Sequence, residues 1–289
     1  MFKMQVCASL SILLLALPLT VFSADETKAP APSEKIVHLE NLVYGQVQGA
    51  GLLADVAYPE SSGLRPAIIS VHGGRWTRGH KRDSSAIKVE QWAGFGFFAM
   101  AIDYRLTGCT PVPACYQDVQ CAIRFVHANA EKYRIDPKRV FLIGQSAGGH
   151  MVSLAGTLGD GPYPRTGGWE SASHDVRAVI SVAGNYDLLS EGCWGDLWKP
   201  NGVDSEEARK IASPIRHVRK TNPPILLFHS DNDKSVPIAI ALRMVETLKE
   251  AGAAHVFHHY PTMGHMGIND EVIKRSLEFI KDLPDAPAN

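Results

Sequence analysis

Short apolar runs alternate with segments of helical period along most of this chain. Ile36 to Tyr44 and Leu52 to Tyr58 alternate apolar and polar residues, which predicts two antiparallel strands. Pro66 to Val71, Phe97 to Ile102, Arg139 to Ile143, Val176 to Val182 and Pro223 to Phe228 are near-continuous apolar runs, the pattern of strands buried on both faces, and His255 to Tyr260 closes the series. Residues 83–93, Cys115 to Tyr133, the segment from His150 onward, Ile238 to Ala251 and Glu271 to Lys281 carry apolar residues at helical spacing. Buried strands separated by amphipathic helices predict an α/β fold, a mostly parallel sheet covered by helices on both faces. Asn185 to about Ser205, with Cys193, Trp194 and Trp198, fits neither period and reads as a small lid-like insertion after the sixth strand. In such sheets ligands bind beyond the carboxyl ends of the strands.

The first residues do not belong to this pattern. Lys3 is the one charge before Asp25, Ser9 to Val21 is dominated by Leu, Ile, Ala and Val, and Val21-Phe22-Ser23 supplies a cleavage site. Residues 1–23 therefore read as a secretory signal peptide. Pro18, Thr20 and several serines make them a poor membrane span, so no stable membrane insertion is expected after cleavage. A disordered Ala/Pro-rich tether is expected over residues 24–35, then one domain over 36–285, secreted or periplasmic.

Composition narrows the partners. Of 289 residues, 29 are Lys or Arg and 30 Asp or Glu, a net charge of −1, so no basic stripe is present to attract nucleic acid. No Gly-rich phosphate loop occurs. Once Cys7 leaves with the leader, Cys109, Cys115, Cys121 and Cys193 remain. In an exported chain these predict one or two disulfides, with a local Cys109–Cys115 bridge favoured and Cys121 read as a small buried helix residue. No Cys-x-x-Cys pair is present to suggest structural zinc.

The chemistry-bearing stretch is Gly144-Gln145-Ser146-Ala147-Gly148-Gly149, entered from an apolar strand and followed by a helical segment. Strand, sharp turn and helix around Gly-x-Ser-x-Gly are the context of a nucleophile elbow, with Ser146 as nucleophile. A serine hydroxyl needs a base, and an imidazole base needs a carboxylate to fix its tautomer. Both should follow later strands. His229-Ser230-Asp231-Asn232-Asp233 follows one and Pro261-Thr262-Met263-Gly264-His265 the next, giving the order Ser146, Asp233, His265. The tetrahedral oxyanion needs two amides: Ala147 N–H is one, and His72-Gly73-Gly74 after the third strand offers the other, with Gly74 preferred over Gly73.

On these motifs, together with Trp76, Asp103-Tyr104-Arg105-Leu106, His150 and Val236-Pro237, the chain resembles the α/β-hydrolase superfamily. Within it, the likeness is to the His-Gly-Gly esterases of acetyl, feruloyl and hormone-sensitive-lipase-like type, over residues 36–283. The resemblance implies Ser146, Asp233 and His265 as catalytic triad, and Gly73, Gly74 and Ala147 as oxyanion amides. It implies no metal or organic cofactor, and a small-molecule or polysaccharide ester as substrate. Arg75 stands where many lipase-like members have a third glycine. The segment around Asp233 is of the dienelactone-hydrolase and prolyl-peptidase style, which favours the carbohydrate-ester branch.

Several residues compete for these roles. Asp231 and Asp187 are alternative acids, and His255, His258 and His259 alternative bases, although all three histidines lie within a strand. His72 reads as a loop-orienting residue, Asp103 and Arg105 as ties below the site, and Gly79 to Asp83 as a solvated turn. Trp194 and Trp198 read either as a roof over a substrate pocket or as filling of the insertion. An amide hydrolase of arylformamidase or peptidase type, or a lipase, would use the same triad.

Overall fold

The computed structural model describes Met1 and residues 35–61, 63–200 and 205–284. The expected signal peptide over 1–23 and nearly all of the tether over 24–35 lie outside the described residues. No helix among the described residues is long and apolar enough to cross a membrane.

Eight strands form one sheet: β1 (Ile36–Val47), β2 (Ala50–Pro59), β3 (Arg65–Val71), β4 (Phe98–Ile102), β5 (Ile135–Gln145), β6 (Ala178–Val182), β7 (Ile225–Ser230) and β8 (His255–Tyr260). Their order is β1-β2-β4-β3-β5-β6-β7-β8. The β1–β2 and β2–β4 pairs are antiparallel; the remaining pairs are parallel. The helices are α1 (Val89–Gly94), α2 (Ala114–Ala128), α3 (Ala130–Tyr133), α4 (Ala147–Leu158), α5 (Ser205–Ile211), α6 (Ile238–Glu250) and α7 (Asp270–Asp282). This is the mostly parallel, two-sided α/β sheet that the apolar runs predict.

The reason lies in strand alternation. Ala67, Ile69 and Val71 of β3, Val140 and Leu142 of β5, and Ile225 and Leu227 of β7 share a core with Val119, Met151 and Met244 of α2, α4 and α6. Ile68, Phe141, Ile143, Leu226 and Phe228 point the other way, into a core with Trp92, Val272 and Ile273 of α1 and α7. Because both faces are covered, β3, β4, β6 and β7 are buried along their whole length.

Three expectations need correction. The helix expected over 83–93 forms only as α1. Residues before it are held by tertiary bonds instead: Ile87 N–H donates to Ser70 Oγ, and Ser85 Oγ accepts from Gly73 N–H. Gly79 to Asp83 is not a solvated turn. Buried Lys81 bonds Asp103 through its amide and its ammonium group, and Arg82 pairs with Asp55 and Glu40. Nor is there a disulfide among the described residues: Cys109, Cys115, Cys121 and Cys193 are free thiols. Cys115 sits in the first turn of α2 facing the core, while Cys109 is exposed on the preceding loop. The described residues of the expected insertion carry a short 3-10 helix, Gly195–Leu197, and α5 and a second 3-10 helix, Pro214–His217, follow.

Candidate active site

Ser146 stands alone between the end of β5 and the start of α4, with φ 57° and ψ −117°. A non-glycine residue there is strained by roughly 1–3 kcal/mol and persists only where its surroundings enforce it. Ser146 N–H donates to Val182 C=O at 2.8 Å, tying the turn to β6, and Ser146 C=O accepts from His150 N–H at 2.9 Å. The neighbouring glycines leave no room for a side chain. A Cβ at Gly148 would lie 1.9 Å from the Val71 carbonyl oxygen, and one at Gly144 would lie 2.4 Å from Gly148. Close approach of β3, β5 and α4 thus forces the serine outward.

Asp233 and His265 occupy the loops after β7 and β8 and meet, His265 Nδ1 lying 2.8 Å from Asp233 Oδ2. The carboxylate fixes the proton on Nδ1 and leaves Nε2 as an acceptor. Asp233 is buried. Burial alone would raise its pKa, but hydrogen bonds from His265 and from the amides of Val236 and Ser235 outweigh that and hold it below its ordinary value. Ser235 N–H and Val236 N–H donate to Asp233 Oδ1 at 2.8 and 3.0 Å, so both carboxylate oxygens have fixed partners. Among the described residues no hydrogen bond joins the Ser146 hydroxyl to His265, and such contacts often tighten only when substrate arrives.

The rival residues have other tasks. Exposed Asp231 pairs with His259, whose Nε2 lies 2.6 Å from its Oδ1. Asp187 braces the insertion, accepting from Leu189 N–H, Ser190 Oγ–H and Arg243. His258 stacks on Phe228, and His255 Nδ1 lies beside Ala253 C=O.

The loop after β3 lies directly on Ser146. A Cβ at Gly73 would fall 2.3 Å from Gln145 Oε1 and 3.3 Å from Ser146 Cβ. Gly73 C=O lies 2.7 Å from His72 Nδ1 and accepts from Tyr104 Oη–H at 3.3 Å; the same hydroxyl donates to His72 C=O at 3.1 Å. The His72 ring stacks on Tyr104, its Nδ1–H donates to Gly73 C=O, and burial lowers its pKa, which favours the neutral ring. Since a trans peptide points its C=O and following N–H in opposite directions, fixing Gly73 C=O also aims Gly74 N–H. Gly74 has φ +109°, and a Cβ there would strike Arg78 C=O at 2.0 Å. Gly73 N–H is already engaged by Ser85 Oγ at 3.0 Å. Gly74 N–H and Ala147 N–H donate to no group among the described residues, which leaves these two amides open.

Sequence motifs whose tasks were not legible now gain them. Trp76 Nε1–H donates to His150 Nδ1 at 3.1 Å, and His150 Nε2–H donates to Ala212 C=O at 2.7 Å. Trp198 packs edge-on against both rings. The loop after β3, α4 and the segment between β6 and β7 are therefore joined through one buried imidazole, whose pKa burial lowers to about 4. Asp103 and Arg105 are ties, as expected: Asp103 holds Lys81, and Arg105 forks onto Asp118. Trp198 is filling, whereas Trp194 is partly exposed and lines the space beside Ser146. Gln145, which packs under Gly73 and donates to Met266 C=O, had no signal in a single sequence, because glutamine at the x position of Gly-x-Ser is not distinctive.

Comparisons with known proteins agree with this fold. A family model described as BD-FAE matches residues 54–248. Esterase LipQ of Mycobacterium tuberculosis is 32% identical over 200 residues, covering 66% of this chain. The chain spans about half the length of that relative, 47%. Among solved structures, a truncated carbohydrate esterase from gut microbiota superposes with a TM-score of 0.75 and 26% identity, covering 86% of this chain and 96% of that one. Butyrate-bound Est2 of Thermogutta terrifontis, an esterase, gives 0.72 and 25%, covering 89% and 97%. The fold is that of the α/β-hydrolase esterases.

Proposed function

The chain belongs to the BD-FAE family, and we propose that it is a serine hydrolase of carboxylic esters, exported by way of residues 1–23. The observation that carries this reading is the 2.8 Å contact of Asp233 with His265 across the face to which the elbow presents Ser146. Ser146 Oγ attacks the ester carbonyl while His265 Nε2 takes its proton, and Asp233 stabilises the resulting imidazolium. The carbonyl oxygen, now negative, accepts from Gly74 N–H and Ala147 N–H. The bond to the alcohol oxygen breaks as His265 returns the proton to it. Water then adds to the acyl-enzyme, giving its proton to His265, and the carboxylic acid leaves as Ser146 is reprotonated. Each residue in this cycle belongs to the chain itself.

Acetyl or feruloyl esters, carbohydrate-linked or small, fit the resemblance of the motifs, and the gut-microbiota structural neighbour is a carbohydrate esterase. Residues 1–23 would direct export and be removed. The test is hydrolysis of p-nitrophenyl acetate by the purified chain and by Ser146→Ala. Hydrolysis confined to the unaltered chain supports the mechanism, and equal rates in both would sink it. Amino-terminal sequencing of the exported protein tests removal of the leader.

A further inference from the structure

A small cavity opens beside Ser146, and its walls include Ala147, Arg75, Trp76, Cys193 and Trp194 but not His265. That asymmetry has chemical meaning. Once Ser146 Oγ bonds to the carbonyl carbon, the oxyanion faces the amides of Gly74 and Ala147, and the leaving oxygen must face His265 to be protonated. The remaining substituent, the acyl chain, is directed to the side away from His265. The cavity is therefore on the acyl side. Its volume is about 10 Å³, roughly what one water-sized or methyl-sized group occupies.

Two residues close it. The Arg75 guanidinium lies over the Trp194 ring, 3.5 Å from its centroid. Trp194 Nε1–H donates to Ser235 C=O at 2.9 Å, anchoring the roof to the loop that carries Asp233. Both residues have left-handed backbone, φ 56° for Arg75 and 61° for Trp194, a conformation that is strained for a bulky residue. The attraction of a cation to an indole face offsets part of that strain. Arg75 also stands where many lipase-like chains have glycine, a residue with no side chain to close such a space.

We propose that the Arg75–Trp194 pair is an acyl-side gate that restricts this enzyme to acetyl esters. The inference rests on the proposed Ser146 mechanism and deepens it: feruloyl and longer acyl groups are excluded, and variety in the substrate lies on the alcohol side.

The experiment measures kcat/KM for p-nitrophenyl acetate, butyrate and octanoate and for methyl ferulate, with the unaltered chain, Trp194→Ala and Arg75→Gly. The glycine variant relieves the strained backbone while removing the guanidinium, so it remains informative should Trp194→Ala fail to fold. The unaltered chain should prefer acetate over butyrate by about 10- to 200-fold, the range one or two poorly accommodated methylenes give. Both variants should reduce that ratio by about tenfold or more. Acetate and butyrate, or ferulate, turned over equally by the unaltered chain would overturn the gate and leave the serine mechanism standing. An acetyl preference that survives both variants would overturn the assignment to these residues. No hydrolysis of any ester would overturn the mechanism and the gate together.

Discussion

Gln145 Nε2–H donates to the Met266 carbonyl at 2.9 Å, so the residue preceding Ser146 grips the residue following His265. The same side chain packs beneath Gly73. One amide thus ties together the elbow, the loop after β8 and the loop after β3, which come from three different strand ends.

Gln145→Ala should accordingly lower kcat by roughly 10- to 100-fold, the scale of a misplacement near 1 Å, with a smaller effect on KM. Steady-state kinetics on p-nitrophenyl acetate beside a thermal melt separate this from simple unfolding. Unchanged kcat in a folded variant would show that the loops hold their spacing without it.

The strain at Ser146 should be measurable as stability. Ser146→Gly accepts φ 57° without a Cβ penalty, whereas Ser146→Ala keeps it. The glycine variant is expected to unfold at higher denaturant than the alanine variant, by about 1 kcal/mol. Equal midpoints would mean that the elbow holds no recoverable strain.

Tyr104→Phe removes the hydroxyl that donates to the carbonyls of His72 and Gly73. Loss of about 1 kcal/mol of loop orientation should reduce kcat severalfold. Gly74→Ala, whose Cβ meets Arg78 C=O at 2.0 Å, should displace the oxyanion amide and cost about 10²- to 10³-fold in kcat. If Gly74→Ala retains full activity, a different amide serves the oxyanion.

Acid should destabilise the fold through His150. Its pKa falls from 6.5 to about 4 on folding, by burial, so between those values the unfolded chain binds the extra proton. Stability is then fully present above pH 6.5 and declines toward pH 4, by about 3 kcal/mol. His72 and His229, also lowered by burial, act in the same direction. Asp233, held below its ordinary value, adds stability that is lost only as pH falls through its folded-state titration. Urea midpoints across this range should give a shallower slope for His150→Gln; an unchanged slope would acquit His150.

Much of the architecture was legible because its causes are local. The continuous runs that became β3, β5 and β7 read as buried on both faces since strand alternation leaves no polar position, and the Gly-x-Ser-x-Gly turn fixes where β5 must end. The order Ser146, Asp233, His265 followed from the requirement that each stand at a strand end. Where side chains from distant segments override local preference, the reading failed. Residues 83–88 carry a helical pattern, yet Ser70 and Gly73 hold them in turns. Cys109 and Cys115 are close in sequence, but the start of α2 aims one thiol into the core and leaves the other in solvent.

By itself, then, the sequence determined the two-sided sheet and the family resemblance and singled out Ser146, Asp233 and His265 as candidates, because hydrophobic period and turn chemistry act over a few residues. The tertiary structure brings the preferred aspartate, Asp233, to His265 and engages Gly73 N–H while leaving the preferred Gly74 N–H open, and it alone decided that Arg75 covers Trp194 beside Ser146. Those are contacts between residues far apart in the chain, and only the close packing of β3, β5 and the insertion after β6 brings them within range.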